Sequence, residues 1–303
     1  MASGFKFEWA NEPADNSNLT SQASEACLCD EGREHPQGPS KVTRSATRSE
    51  FGGSRANSNL NNLPSVKEGA IFLADAHENA NKRAFLGFLR ALESGAIPTP
   101  PQLFLMGDMF DFLSFTAYTR EFYAEYIRLL NALAEKCEIW YFEGNHDFAL
   151  SAVFPRVRVV PIENQPFKFE MNARVAALAH GDVFLSPLDA FALRFLRNPV
   201  FLKVADALDK LFKFEISKRI LRFEEGKKLN YKIPNFRAKV VAKLAKYDAD
   251  AIIEGHYHQG ELFKFESKFY LNLPCFACER SYFVVKYPSK KEIEFQIVRS
   301  PNV

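Results

Sequence analysis

The stretch 142–150 reads FEGNHDFAL and directly continues an apolar run, IWYF, at 139–142. Such a run is typical of a buried strand, and the glycine that follows it permits a turn where the strand ends. Loops just past the carboxyl ends of buried strands are where open α/β sheets place their chemistry. The sequence therefore predicts an α/β fold with Asn145, His146 and Asp147 at the functional edge of a sheet.

Four further apolar runs each end in acidic residues or histidines: Asp75 and His77, Asp108 and Asp111, His180 and Asp182, and His256 and His258. Taken singly, Asp75 fits a helix cap and His180 fits a hydrogen-bonded core histidine. The chain has six histidines, however, and all except His35 lie in these clusters. That concentration favours one shared site.

The order of apolar runs alternates between strand and helix. Short buried strands are predicted at 70–74, 103–106 and 139–142, and amphipathic helices at about 81–93 and 120–135. This alternation predicts a largely parallel sheet with right-handed crossovers.

A second sheet is predicted after residue 157. Short alternating runs at 157–178 indicate antiparallel strands, 251–254 is a last buried strand, and the remainder to 303 is expected to complete this second sheet.

The domain boundaries follow from changes in composition. Residues 1–65 are rich in Ser, Asn, Gly, Pro and Arg, and predict a disordered tail. One domain is expected at 66–303, with an insertion of helical character at about 183–248.

Composition and charge constrain the setting. With 47% hydrophobic and 25% charged residues the chain is typical of a globular protein, and its net charge of +2 gives no reason to expect nucleic acid. The five cysteines are an odd number, no secretory segment precedes them, and no run of 18 apolar residues occurs, which indicates a reducing, cytoplasmic setting. Cys275 and Cys278 are either half a zinc site or paired buried thiols.

The clustered side chains suit divalent metal ions. Mixtures of imidazole and carboxylate bind Mn²⁺, Fe²⁺ or Zn²⁺, and residues two apart in an extended segment point the same way. The groups collected at the strand ends are Asp75, His77, Asp108, Asn145, His146, His180, His256 and His258. Seven ligands exceed the usual share of one ion, which favours two ions about 3.5–4 Å apart that clamp a phosphoryl centre. One imidazole would remain to protonate a leaving group.

The order of these blocks resembles the calcineurin-like metallophosphoesterases. The resemblance implies a four-layer αββα sandwich with a binuclear metal site. It assigns one ion to Asp75, His77, Asp108 and His258, and the other to Asp108, Asn145, His180 and His256. It also implies that His146 is the general acid, that Asp147 orients it, and that Asp111 supports a ligand.

The insertion is basic and amphipathic. From 183 to 247 it has fifteen basic residues against six acidic ones, a net charge of +9. Apolar residues recur at helical spacing along 201–223, which suits an anionic substrate with an apolar body or a membrane surface. The open alternative is a solvated face over a packed stripe.

The start of the insertion, with Asp189, Phe191, Arg194 and Arg197 followed by Asn-Pro, is similar to the UDP-2,3-diacylglucosamine hydrolases. This narrower resemblance implies pyrophosphate cleavage to UMP and 2,3-diacylglucosamine 1-phosphate in lipid A biosynthesis. It also implies Mn²⁺, acyl chains under a cap, and peripheral contact with the cytoplasmic face of the inner membrane. Arg194, Arg197 and Lys228 are the expected substrate-binding residues.

Two other functions stay open. Those hydrolases often carry Arg where His146 stands, which leaves the exact substrate open. A general phosphodiesterase or nuclease would also explain the basic insertion, through contacts with the phosphate backbone. A non-catalytic scaffold on the same fold should have lost ligands, whereas this chain keeps the set. Neither nucleic acid nor an obligate protein partner is expected.

Overall fold

Two β-sheets and eight α-helices make up the residues described by the computed structural model, which are 4–8 and 60–300. The strands in chain order are β1 (Gly4–Glu8), β2 (Ile71–Leu73), β3 (Gln102–Leu105), β4 (Glu138–Phe142), β5 (Arg158–Val160), β6 (Phe167–Met171), β7 (Arg174–Ala179), β8 (Ala251–Glu254), β9 (Glu261–Phe265), β10 (Lys268–Asn272), β11 (Ser281–Ser289) and β12 (Glu292–Arg299). The helices are α1 (Ala84–Ser94), α2 (Ala117–Phe122), α3 (Ala124–Leu133), α4 (Pro187–Leu196), α5 (Pro199–Leu211), α6 (Glu215–Glu225), α7 (Phe236–Leu244) and α8 (Phe276–Glu279).

The first sheet has the strand order β1-β12-β11-β2-β3-β4-β5. Strands β2 to β5 are parallel, as the alternation of strands and helices predicts. The second sheet has the order β6-β7-β8-β10-β9, in which β7, β8 and β10 are parallel and β6 and β9 are antiparallel edge strands.

Alternate residues of each buried strand face different layers. Phe72 and Phe104 stack at 4.3 Å between the two sheets, and Phe104 meets Phe169 of the second sheet at 5.4 Å. Ile71 and Leu73 point to the other face, where α1 and α3 pack. Helix α7 covers the outer face of the second sheet. This arrangement is a four-layer αββα sandwich, which confirms the predicted fold class, and it explains why these strands read as continuous apolar runs.

Two helix predictions need adjustment. Helix α1 begins at Ala84 rather than near Asn81, because the buried carboxylate of Glu78 accepts the backbone N–H of Phe85 at 2.8 Å. The helix predicted at 120–135 begins earlier and divides at Tyr123, whose hydroxyl donates to the Glu78 carbonyl at 2.7 Å.

The prediction that the remainder of the chain completes the second sheet is right for β9 and β10 and wrong for β11 and β12. Strand β11 pairs antiparallel with β2, placing Phe283 opposite Phe72, and β12 pairs with β11, so both extend the first sheet. Alternating apolar residues indicate that a strand has one buried face, but they do not specify the sheet it joins.

The predicted disordered tail at 1–65 is also wrong in part. Gly4–Glu8 forms the edge strand β1, paired with β12 from Gly4 opposite Gln296 to Glu8 opposite Glu292. Phe7 of this strand is buried at 4.7 Å from the ring of Phe269. Residues 60–65 are described as well, with a short 3₁₀ helix at Leu60–Asn62. The rest of the predicted tail lies outside the described residues.

The insertion contains α4 to α7, and α4 to α6 are called the cap below. The apolar stripe predicted along 201–223 is divided between α5 and α6, and most of it is exposed rather than packed. Leu211 is 74% exposed, Phe223 72% and Phe191 71%. In the chain from 60 to 300 and at 4–8, no helix is long and apolar enough to cross a membrane.

Candidate metal centre

Loops from both sheets bring the predicted ligands to one edge of the sandwich. Asp75 and His77 follow β2, Asp108 follows β3, Asn145 and His146 follow β4, His180 follows β7, and His256 and His258 follow β8. These are all carboxyl ends of parallel strands, so tertiary folding gathers residues up to 183 positions apart in the chain.

A first group consists of Asp75, His77 and His258, whose ligand atoms lie within 4.8 Å of one another. Nε2 of His258 is 3.2 Å from Oδ1 of Asp75. Nε2 of His77 is buried without a hydrogen-bond partner among the described residues. An unpartnered buried nitrogen beside a carboxylate fits a metal ligand.

A second group consists of Asp108, His180 and His256, also within 4.8 Å. Nε2 of His180 lies 3.2 Å from Oδ2 of Asp108 and 3.2 Å from Nδ1 of His256. Oδ1 of Asn145 is buried and has no hydrogen-bond partner in the part of the chain described. Each group combines nitrogen and oxygen atoms, and His77 Nε2 and Asn145 Oδ1 have no hydrogen-bond partner among the described residues. This chemistry fits a pair of divalent cations, as the family resemblance implies.

Burial and neighbouring charges shift the pKa values of residues in both groups. Burial opposes ionisation of Asp108, but the charges of His180, His146 and His77 hold its pKa well below the usual range. Burial likewise disfavours the charged form of His258, yet Asp75 raises its pKa to about 9. Burial and the charge of His180 lower the pKa of His256 to about 4. A bound cation would take over the compensating charge that protons supply here, with release of those protons.

The imidazoles are oriented through their second nitrogens. Nδ1 of His180 lies 2.8 Å from the Met106 carbonyl, and Nδ1 of His258 lies 2.9 Å from the Leu229 carbonyl. Nδ1 of His77 faces Oδ1 of Asp111 at 3.3 Å. Contacts of this kind fix the tautomer of the imidazole and leave Nε2 available to bind a metal ion. They also place Asp111 beside His77.

Asp147 does not orient His146, contrary to the expectation from the family. Its carboxylate accepts the backbone N–H groups of Asp108 at 3.0 Å, Met109 at 2.6 Å and Gly144 at 2.9 Å, together with the Tyr141 hydroxyl at 2.6 Å. With these acceptor sites occupied, Asp147 fixes the loop that carries Asp108 instead.

Two other groups face Nδ1 of His146. Its Nδ1 lies 2.9 Å from the Asp111 carbonyl and 3.4 Å from Oε2 of Glu224, a residue of α6 in the cap. Glu224 also contacts Lys227 at 2.5 Å. Sequence reasoning missed Glu224 because a contact between a cap helix and a remote loop leaves no local pattern.

The ligand loops have an unusual backbone. Asp75, His77, Asp108, His256 and His258 all have φ between 44° and 62°, a left-handed conformation that side chains rarely adopt. Strain of this kind persists where the surroundings fix it, and it is concentrated at functional sites. Gly144 is required for a different reason, since a Cβ there would meet Oδ1 of Asp108 at 2.2 Å.

The predicted substrate-binding residues separate into two kinds. Arg194 and Lys228 are exposed in or just after the cap. The side chain of Arg197 is only 8% exposed: its Nη2 donates to the Gly144 carbonyl at 2.8 Å and lies 3.5 Å from Oδ2 of Asp182. Arg197 therefore connects the cap to two of the motif loops.

Comparison with known proteins identifies the family of the chain. A family model described as calcineurin-like phosphoesterase matches residues 70–260, a range that contains both groups. A UDP-2,3-diacylglucosamine hydrolase from Nitrosococcus oceani is 26% identical over 201 residues, which cover 62% of this chain and 78% of that protein.

Solved structures are similar over most of the chain at low identity. A novel archaeal phosphodiesterase is 12% identical with a TM-score of 0.36, covering 75% of this chain and 98% of that one. Vacuolar protein sorting 29 from Cryptosporidium parvum is 12% identical with a TM-score of 0.36, covering 76% and 97% respectively.

Proposed function

This chain belongs to the calcineurin-like phosphoesterase family, and starting from that membership we propose that it cleaves the pyrophosphate of UDP-2,3-diacylglucosamine, releasing UMP and 2,3-diacylglucosamine 1-phosphate for lipid A biosynthesis. The family and the two candidate metal groups make it a metal-dependent phosphoester hydrolase. The lipid nucleotide is the finer part of the proposal.

The observation that carries the lipid nucleotide is an exposed apolar cap placed against the metal groups. Helices α4 to α6 expose large apolar side chains, and such patches mark sites for lipids or partners. The cap lies at the site itself, because Arg197 contacts Gly144 and Glu224 of α6 contacts His146. A nucleotide with two acyl chains needs both features together, and the similar hydrolase from Nitrosococcus oceani is named for such a substrate.

The residues have distinct roles in this reaction. Asp75, His77, Asp108, Asn145, His180, His256 and His258 would hold two divalent ions, which we take to be Mn²⁺. Such ions would activate water at neutral pH and neutralise charge on the phosphoryl oxygens. His146, held through Nδ1, presents its other nitrogen to the leaving oxygen as the general acid. Arg194 and Lys228, which are both exposed, are proposed to contact the phosphates.

The cap also suits a peripheral position on the cytoplasmic face of the inner membrane. Its apolar residues fit the boundary between head groups and acyl chains, and its basic residues fit anionic lipids. The insertion at 183–247 has fifteen basic residues against six acidic ones, and eight of the basic residues lie in the cap itself. A substrate with two acyl chains resides in that membrane, so this position would bring enzyme and substrate together.

One observation favours a second candidate, a general phosphodiesterase. His146 keeps the form of the motif expected for phosphoesterases at large. A basic insertion also suits contacts with phosphate backbones, so a nuclease would share it.

The deciding experiment is a Mn²⁺-dependent assay with UDP-2,3-diacylglucosamine, beside a UDP-sugar without acyl chains and an artificial phosphodiester. We expect UMP release from the lipid nucleotide to exceed turnover of both controls by at least about a hundredfold in kcat/KM. Diester turnover without UMP release from the lipid nucleotide would instead establish the phosphodiesterase.

A further inference from the structure

A buried ion pair lies behind the two loops that carry His180 and His256. Glu254, the last residue of β8, is fully buried, and Lys243 of α7 reaches it with a side chain that is 11% exposed. Nζ of Lys243 is 2.7 Å and 2.8 Å from the two carboxylate oxygens. Neither residue belongs to any of the motif blocks.

The pair is completed by hydroxyl groups and a backbone carbonyl. Tyr270 donates to the Glu254 carboxylate at 2.6 Å, and Tyr247 donates to its other oxygen. Nζ of Lys243 also donates to the Gly181 carbonyl at 3.2 Å, to which the Tyr257 hydroxyl donates at 3.1 Å. A buried ion pair persists only where both charges keep such partners, so this geometry is defined on every side.

The pair connects directly to the second metal group. Gly181 follows His180, and Glu254 is two residues before His256. The N–H of Gly255 donates to the His180 carbonyl at 2.8 Å. A Cβ on Gly181 would meet Cβ of His256 at 2.9 Å, so the two loops are in close contact. The Lys243 ammonium thus contacts the loop of His180 through the Gly181 carbonyl, and its partner Glu254 directly precedes the loop of His256. The ion pair therefore contacts both loops.

We propose that Lys243 and Glu254 are a positioning pair for the second metal group, through which the last helix of the insertion sets the relative position of His180 and His256. Neither residue touches an ion or substrate. A shift of α7 would consequently change the relative position of His180 and His256. The proposal rests on the binuclear centre of the proposed function and is independent of which phosphate compound is cleaved.

A purely stabilising role makes a different prediction, and a double variant separates the two. Lys243→Met or Glu254→Gln alone leaves one buried charge unpaired, which lowers the melting temperature in either case. Lys243→Met/Glu254→Gln leaves no charge and should recover most of that loss. If the pair only stabilises the fold, metal binding recovers as well. If it positions the ligands, metal binding stays weak because the Gly181 carbonyl has lost its ammonium donor.

The experiment is a titration of the metal-free, full-length protein with Mn²⁺, followed by calorimetry and by electron paramagnetic resonance. For the double variant we expect one of two ions to bind about 10–100-fold more weakly, the size that partners of metal ligands contribute. The other ion should change by less than about threefold. The spectrum of a coupled Mn²⁺ pair should give way to that of a single ion at intermediate concentrations.

Assignment of the weakened ion uses a second background. In His77→Ala, which removes a ligand of the first group, adding the double variant should remove the remaining tight ion. The matched control is Lys168→Met/Asp248→Asn, a solvent-accessible pair 2.7 Å apart between β6 and the loop before β8, which should leave both ions bound as in the wild type.

Wild-type affinity at both sites in the folded double variant would overturn the proposal, as would equal weakening of both ions. Because no lipid nucleotide is present, these outcomes are distinct from failure of the proposed substrate. A protein that binds Mn²⁺ as described but releases no UMP would retain the positioning pair and lose the lipid substrate.

Discussion

At the scale of single residues, we expect substitutions of His146 and of Asp108 to have different effects. His146→Ala should lower kcat by about 10²–10⁴-fold with both Mn²⁺ ions retained, because a general acid contributes to turnover and not to metal affinity. Asp108→Ala should lose metal, since its carboxylate lies 3.2 Å from His180 and its charge faces three imidazoles. Metal content by mass spectrometry beside steady-state kinetics checks both. An empty site in His146→Ala would make His146 a ligand.

The cysteines offer a residue-scale test by pH. Cys278 is exposed, and a hydrogen bond from Cys275, with the charges of His258 and Lys82, lowers its pKa to about 7. Burial raises the pKa of Cys137 to about 11. Since the thiolate reacts, alkylation of Cys278 should rise about tenfold per pH unit below 7 and level off above 8, while Cys137 stays unmodified.

Peptide mass spectrometry after timed iodoacetamide treatment measures this profile. The control is Cys275→Ala, which removes the hydrogen bond and should move the Cys278 profile toward higher pH. An unchanged profile in that variant would show that the Cys275 thiol does not stabilise the thiolate.

At the scale of elements, the two arginines of α4 and its end separate anchoring of the cap from substrate binding. Arg197→Ala removes a buried contact with the Gly144 carbonyl, and a hydrogen bond of a charged group contributes about 1.5–3 kcal/mol. We expect a melting temperature about 5 °C lower, together with a lower kcat. Arg194→Ala, at an exposed position of the same segment, should raise KM and leave the melting temperature unchanged. Thermal unfolding with steady-state kinetics decides, and an unaltered melting temperature in Arg197→Ala would mean that the cap is held elsewhere.

The exposed apolar face of the cap gives a second prediction for an element. Leu211→Asp, at a position 74% exposed in α5, should reduce sedimentation with anionic phospholipid vesicles by about tenfold, since it places a charge where acyl chains would lie. Phe122→Asp, a 39% exposed apolar residue in α2 outside the cap, is the control and should sediment like the wild type. Equal binding by all three proteins would assign the apolar face to another partner.

At the scale of the molecule, the sequence predicts what depends on local pattern. Apolar runs such as the one before Asp75 mark buried strands, and the polar residues after them mark the site, so the metal groups could be anticipated. Pairing between distant segments could not. Phe283 lies opposite Phe72 only because β11 joins the first sheet, and Phe7 gains a buried place only because β12 offers an edge.

The same limit applies inside the site. The family resemblance implies that Asp147 orients the His146 imidazole, yet its carboxylate accepts hydrogen bonds from Tyr141 and from the loop of Asp108. The groups that do face Nδ1 of His146, the Asp111 carbonyl and Glu224, are 35 and 78 residues away. Residue types and spacing predict which side chains gather, whereas second contacts depend on packing that no short pattern contains.

Metal binding should also stabilise the molecule as a whole. Two groups of imidazoles and buried carboxylates lie together on loops with left-handed backbone, and bound cations would neutralise the carboxylates in the folded chain. An ion that binds only the folded state at 100 times its Kd adds about 2.7 kcal/mol. For a domain of this size each such ion should raise the melting temperature by about 5–10 °C. Calorimetry of protein treated with a chelator, then with Mn²⁺, measures the shift, and Asp108→Ala should lose most of it. A melting temperature that ignores Mn²⁺ in the wild type, with unfolding still cooperative, would show that these two groups do not bind metal tightly.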